Sequence, residues 1–200
     1  SRTVRTKWAE WQTILAGGVA CAGFAILNKF SLADSLVVLA AASVGQFVRG
    51  RLNRRWLNQF GVAALASAAA CLVYLMLADL LTNTGLHTIH GPGYVASLLF
   101  LVPGFPMITS ILDMVRMDFT AGLSRAAYSF GLILAATMSA WMFSAATGLQ
   151  PLPAQTVFPY PWAWLAYAVA TACGVAGFAV IFNSPPRTVA WAAALGACGN

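Results

Sequence analysis

Residues 101–125 read LVPGFPMITSILDMVRMDFTAGLSR. Two prolines and a glycine interrupt an apolar run, and Asp113, Arg116, Asp118 and Arg125 follow within one helix length. In a helix, Pro103 and Pro106 would remove the hydrogen bonds to the carbonyls of Leu99 and Val102 and push their rings against the preceding turn. The helix must break there. What that break means depends on the medium around it, and composition decides the medium.

The chain has 200 residues, 60% hydrophobic and 8% charged, with a mean hydropathy of +0.77. A water-soluble globule carries about 25% charged residues, so this is an integral membrane protein. Its apolar runs are continuous and about 20 residues long, the length of a helical span, and lack the alternation of a membrane barrel. The fold class is therefore all-α, a polytopic bundle with a broken fourth span. Non-helical backbone at membrane depth survives only where it is buried in protein or lines a watery cavity. The break thus predicts a cavity.

The net charge of +6 lies in short clusters between apolar runs. These read as orientation signals and not as a nucleic-acid face. Spans are expected at Trp11–Leu27, Leu36–Val48, Gly61–Leu81, Gly93–Met114, Thr120–Ala146 and Trp162–Phe182, with a seventh from Thr188. Between the second and third, RGRLNRRWLNQF is expected to form an amphipathic helix over 49–60 at the cytoplasmic surface; the second run, short for a full span, is extended either by tilt or by this helix. The third span repeats small residues at Ala63, Ser67 and Cys71 and at Ala66 and Ala70, a spacing for close helix approach. Counting from a cytoplasmic N-terminus, the basic segments 1–7, 49–55, 116 and 187 all fall inside, and only Lys29 falls outside. Trp8, Trp11, Trp56, Trp162 and Trp164 suit interfacial anchors.

The first run is followed by others of full spanning length, so it reads as a span and not as a cleavable signal. Both ends of the chain read as cut. The Pro-rich stretch at 148–161 divides a first transmembrane module, 1–148, from a linker and the start of a second, 149–200. No convincing internal repeat is visible, although Gly23-Phe24 and Gly177-Phe178 both come late in an alanine-rich span.

If the second half-helix restarts near Pro106, the amides of Met107 and Ile108 point at the break with the positive helix end. The freed carbonyls offer the opposite charge, which suits a zwitterion. The expected binding residues are Val102, Pro103, Gly104, Phe105, Pro106 and Met107, with the hydroxyls of Thr109 and Ser110. The alternative is a kink that neighbours merely stabilise. Asp113 and Arg116 share a helix face, as do Asp118, Gly122 and Arg125. Asp113 lies ten residues past Pro103, roughly 15 Å at the helical rise. It is either a gate or proton acceptor near the cytoplasmic rim, or a solvated turn carboxylate. Arg125 is expected to pair with Asp118 or Asp113. Asp79 reads as a rim residue, Gln46 and Asn28 as uninformative span ends. His87 and His90 lack a third ligand for a metal, and the four cysteines read as packing residues. No pattern of a hydrolase or intramembrane protease is present, and no cofactor or metal is expected.

At these residues the chain resembles the threonine/serine exporter family of bacterial inner-membrane transporters. The resemblance rests on Leu101-Val102-Pro103-Gly104-Phe105-Pro106, then Asp113, Asp118, Gly122 and Arg125. In the tail it rests on Gly177-Phe178, Phe182-Asn183, Pro185-Pro186-Arg187 and Leu195-Gly196-Ala197. It implies two modules of about five spans, fused or separate, that export small hydroxy or neutral amino acids on the proton motive force. On that reading the partners are a small amino acid, protons, the bilayer and a second module, with homo-oligomerisation open. Asp113 or Asp118 would take the proton, with Arg125 as counter-ion and Arg116 beside them at the mouth. Thr109 stands where the family commonly has Asn, and Met117 where it has Gly. The rival expectation is a non-catalytic scaffold or subunit that needs a partner module.

Overall fold

The structure, a computed structural model, describes residues 7–55, 58–85, 93–148 and 162–199. Among these residues all regular structure is helical. Helices α1 (Glu10–Leu27), α2 (Leu32–Asn53), α3 (Gln59–Asn83), α6 (Phe119–Thr147) and α7 (Ala163–Ile181) are each long and apolar enough to cross a membrane. The fourth span is broken as expected. It comprises a short α4 (Gly93–Ala96), a 3-10 turn (Leu99–Leu101) and α5 (Gly104–Val115), its two limbs meeting at 58°. A final helix α8 (Pro186–Cys198) follows α7.

α2 lies between α1 and α3, α3 packs on α6, and α6 on α5, while α7 packs on α1 and carries α8. α4 and the 3-10 turn are enclosed by α1, α2, α3 and α6. Phe100 is only 1% exposed, so the break sits inside the bundle. The core around it is built from small residues, with Ala20, Cys21, Ala41, Ala66, Ala70 and Cys71 all sealed. The small-residue rows of the third span are buried, and serines fasten that seam. Ser67 Oγ donates to the Ala136 carbonyl and Ser139 Oγ to that of Ala64, each at 2.9 Å.

The second span is extended into the Arg-rich segment, one of the two ways its short apolar run could be completed. It starts at Leu32 because Ser31 and Asp34 form a reciprocal capping box, and it runs unbroken to Asn53. Arg49, Arg51 and Asn53 are its last turn. One amphipathic helix over 49–60 is therefore not formed: Asn58 caps α3, which already contains Phe60. Trp56, His87, His90 and the Pro-rich linker lie outside the described residues. α8 begins at Pro186, ahead of the expected Thr188, with proline at a helix start where its missing N–H costs nothing.

α1–α2 and α7–α8 repeat one another in backbone geometry, displaced by 154 residues. The first helix of each pair ends at Leu27 and Ile181, and the second begins at Leu32 and Pro186. The linking turns carry Lys29 and Asn183 at φ 64° and 59°. Phe30 N–H donates to the Ala25 carbonyl, as Ser184 N–H does to that of Ala179. The contact between α1 and α7 is itself reciprocal. A Cβ built on Gly23 would lie 2.5 Å from the Ala170 carbonyl oxygen, and one on Gly177 would lie 2.5 Å from that of Ala16. Late positions of each helix meet early positions of the other, so the two run antiparallel around a local two-fold axis. Trp8 Nε1 donates to the Ser184 carbonyl at 2.8 Å, tying the start of α1 to the end of α7.

Gly177→Leu should therefore force α1 from α7 and cost about 2 kcal/mol, in the range of core overpacking. Gly61→Leu, with nothing within 4 Å of an added Cβ, should melt like the parent in the same detergent.

Candidate functional site: the cavity at the break

The broken span solves its backbone problem with three partners. Val102 N–H turns back to the Leu99 carbonyl at 3.1 Å, and Gly104 N–H to the Val102 carbonyl at 2.9 Å. These tight turns re-satisfy the carbonyls that the prolines abandon. The Phe100 carbonyl is met instead by a side chain from another helix: Arg49 donates to it through one guanidinium nitrogen at 2.8 Å.

Helix α5 restarts at Gly104, two residues earlier than Pro106. Met107 N–H is consequently spent on the Pro103 carbonyl at 3.1 Å, and Ile108 lies within the helical ladder. The amide pair expected to face the break is thus unavailable. The carbonyls of Leu99 and Val102 are likewise engaged.

A cavity of about 430 Å³ lies beside the break. Val102, Pro103, Phe105 and Pro106 line it from the fourth span, Gln46, Arg49, Gly50 and Asn53 from α2, Tyr128 and Leu132 from α6, and Ile181 and Phe182 from the end of α7. Gly104 adjoins it, with an added Cβ 3.5 Å from the Phe182 ring. Met107, Thr109 and Ser110 do not line it. Thr109 bonds back to the Phe105 and Pro106 carbonyls of its own helix, and the buried Ser110 hydroxyl donates to the Gly122 carbonyl of α6 at 2.8 Å.

The lining contains one cation and no carboxylate. Among the described residues Arg49 makes no ion pair. Gln46 lines the cavity, and its Oε1 is enclosed without a donor among the described residues. Gly17 makes room for that side chain, since a Cβ there would stand 3.3 Å from Gln46 Cβ. Neither Arg49 nor Gln46 was singled out in the sequence. One basic run hid the first, and the second sat at an apparent span end. Their spacing of three, with Asn53 seven residues past Gln46, was the signal for one polar helix face.

The charged residues beyond the break fasten α5 to α6. Arg125 reaches Asp113 at 2.6 Å, a charge contact without hydrogen-bond alignment. Gly122 lets the helices close, because a Cβ there would lie 3.0 Å from the Ser110 carbonyl. Asp118 does not pair with Arg125. It caps α6 by accepting from Ala121 N–H at 3.2 Å, while its own N–H donates to the Asp113 carbonyl at 2.9 Å. Arg116 is exposed at the end of α5, and Asp79 is exposed on α3.

Met117 sits between α5 and α6 at φ 64°, the left-handed position that closes a helix end. An L side chain is disfavoured there by roughly 1 kcal/mol. Met117→Gly should raise stability by about that amount, read as an increase in detergent melting temperature.

A polytopic bundle whose broken span frames a cavity with an arginine in its wall has the build of a membrane transporter. The threonine/serine exporter (ThrE) family model matches residues 3–147, and the chain belongs to that family. It is similar to the "Probable succinate transporter subunit YjjP" of Escherichia coli K12, 30% identical over 144 residues. A protein of the same description in Klebsiella aerogenes is 31% identical over 145 residues. Each match covers 72% of this chain and 55% of the relative, so the chain spans about half the length of these curated relatives. No solved structure gives a significant match.

Proposed function

We propose that this chain contributes the substrate cavity of a proton-coupled secondary transporter for small carboxylate-bearing metabolites. The observation that carries the reading is Arg49, a cation on the cavity wall with one backbone carbonyl as partner and no carboxylate opposite. An ionisable group within a span is costly and points to function. A guanidinium fork can hold a carboxylate through parallel N–H donors while one nitrogen keeps the Phe100 carbonyl. Transport makes no use of a cofactor.

Threonine and serine, the solutes in the family's name, and succinate, the solute in the relatives' names, all present a carboxylate. The lining favours the dicarboxylate over the zwitterion. No acidic side chain waits for an ammonium, the carbonyls of Leu99 and Val102 are occupied, and the Gln46 and Asn53 amides add donors. Asn53 follows Arg49 by four residues, about 6 Å along the helix, a separation suited to the two ends of a short diacid.

Asp113 is the carboxylate we assign to proton coupling. Protonating it would dissolve its pairing with Arg125 and loosen the α5–α6 hairpin that carries Phe105 and Pro106. Asp118, exposed and occupied as a helix cap, is the weaker candidate, and Arg116 would guide anions at the mouth. We place the chain in the inner membrane with its N-terminus in the cytoplasm, from the distribution of basic residues. Residues 1–148 form one module. α7 and α8 open a second, inverted one, whose remainder is fused or separate; the relatives are named as transporter subunits.

The test is counterflow of labelled succinate, threonine and serine in vesicles holding the full-length protein with its partner module. Succinate should exchange best. Arg49→Gln should lower that exchange at least about tenfold, the loss of one charged hydrogen bond. Asp113→Asn should keep exchange but lose its response to a pH gradient. Full exchange in Arg49→Gln, or intact coupling in Asp113→Asn, would overturn the assignment.

A further inference from the structure

The arginines at the end of α2 do not form one patch. At about 100° per residue, Arg51 projects from the side of the helix away from Arg49, and Arg55 follows just past the helix end. Arg49 faces the cavity, whereas Arg51 and Arg55 terminate a different stripe. Along it Leu32, Leu36, Val44 and Phe47 are exposed, uncovered by any described helix. In a span such a stripe meets lipid.

At its end is a cleft of about 560 Å³ lined by Phe47, Val48, Arg51, Leu52, Arg54 and Arg55. One wall is apolar and continuous with the lipid-facing stripe, and the rim is cationic. The Arg51 guanidinium stacks 5.0 Å from the centre of the Phe47 ring, which fixes it over the apolar wall. Arg54 is held by Glu10 of α1 at 2.7 Å, so one edge of the cleft is tied to the neighbouring helix. Among the described residues Arg51 and Arg55 have no carboxylate partner. Three arginines against one carboxylate leave a positive site where hydrocarbon gives way to headgroups.

We propose that this cleft binds an anionic phospholipid of the leaflet that meets the C-terminal end of α2. An acyl chain lies along Leu36, Val44 and Phe47, and the phosphate sits between Arg51 and Arg55. Guanidinium forks match phosphate oxygens, and basic pockets at span ends select anionic headgroups. The bound lipid braces the same helix turn that holds Arg49 against the broken span.

Native mass spectrometry of the full-length protein in detergent tests this, with phosphatidylglycerol and phosphatidylcholine of identical chains added in competition. Retention should favour phosphatidylglycerol by about thirtyfold, the worth of two arginines near a headgroup. That preference should vanish in Arg51→Gln/Arg55→Gln and persist in Arg116→Gln. Equal retention of the two lipids by the parent protein overturns the proposal, whether or not the double variant folds. So does an undiminished preference in the folded double variant, or full competition by millimolar inorganic phosphate, which would mean a free-anion site.

Discussion

A backbone carbonyl sealed inside an apolar bundle has no water to turn to, and this fold is arranged around one such carbonyl. Pro103 and Pro106 end the ladder of the fourth span, the chain refolds into tight turns, and the Phe100 carbonyl takes a guanidinium from α2. The cost of leaving that group bare is several kcal/mol. The contact therefore fixes the rotation of α2 and the depth of the break together. It also brings a charge into the interior whose remaining donors face a cavity. In the proposed function one residue serves two ends, closing the backbone account of the break and receiving the substrate's carboxylate.

Around that contact the bundle has two kinds of seam. Alanines, glycines and serines let α1, α2, α3, α6 and α7 approach closely, and these seams have the character of a fixed frame. The hairpin of α5 and α6 is held differently, by the Asp113–Arg125 charge pair, the Ser110–Gly122 hydrogen bond and the Asp118 cap. Its outer apolar face, including Phe105, Ile108, Ile111 and Val115, is exposed. Helix α5, held to the frame helix α6 by charge at one end and carrying Phe105 and Pro106 of the cavity wall, is the natural moving part in the proposed cycle. The reciprocal crossing of α1 and α7 has the geometry that inverted repeats give many transporters, with the site near the repeat interface.

Much of this was legible in the sequence. Continuous apolar runs located the spans, two prolines in four residues located the break, and the rule that such a break must be buried or line a cavity pointed to the cavity found beside it. The contents of the cavity were not legible. Arg49 belonged to a run that looked like one basic surface, and only helical phase separates it from Arg51. The restart of α5 could not be fixed because Gly104 and Pro106 are both acceptable in a first turn. The Asp113, Asp118, Gly122 and Arg125 pattern was visible as a motif. Its physical content, a pair, a cap and a close approach across one hairpin, requires the turn at Met117 that folds it. The repeat between α1–α2 and α7–α8 escaped notice because it lies in backbone geometry, with Lys29 matched to Asn183 and Ser31 to Pro185.

The central claim is that Arg49 holds the substrate's carboxylate beside the broken span. Its most direct test is a carbon–nitrogen distance from solid-state NMR, with carboxyl-labelled succinate and guanidinium-labelled arginine in the full-length protein with its partner module in lipid. The account predicts a single contact at ion-pair distance, about 4 Å, that disappears in Arg49→Lys and survives in Arg116→Gln. A bound succinate whose carboxylates contact other arginines, with Arg49→Lys leaving the signal unchanged, would contradict it.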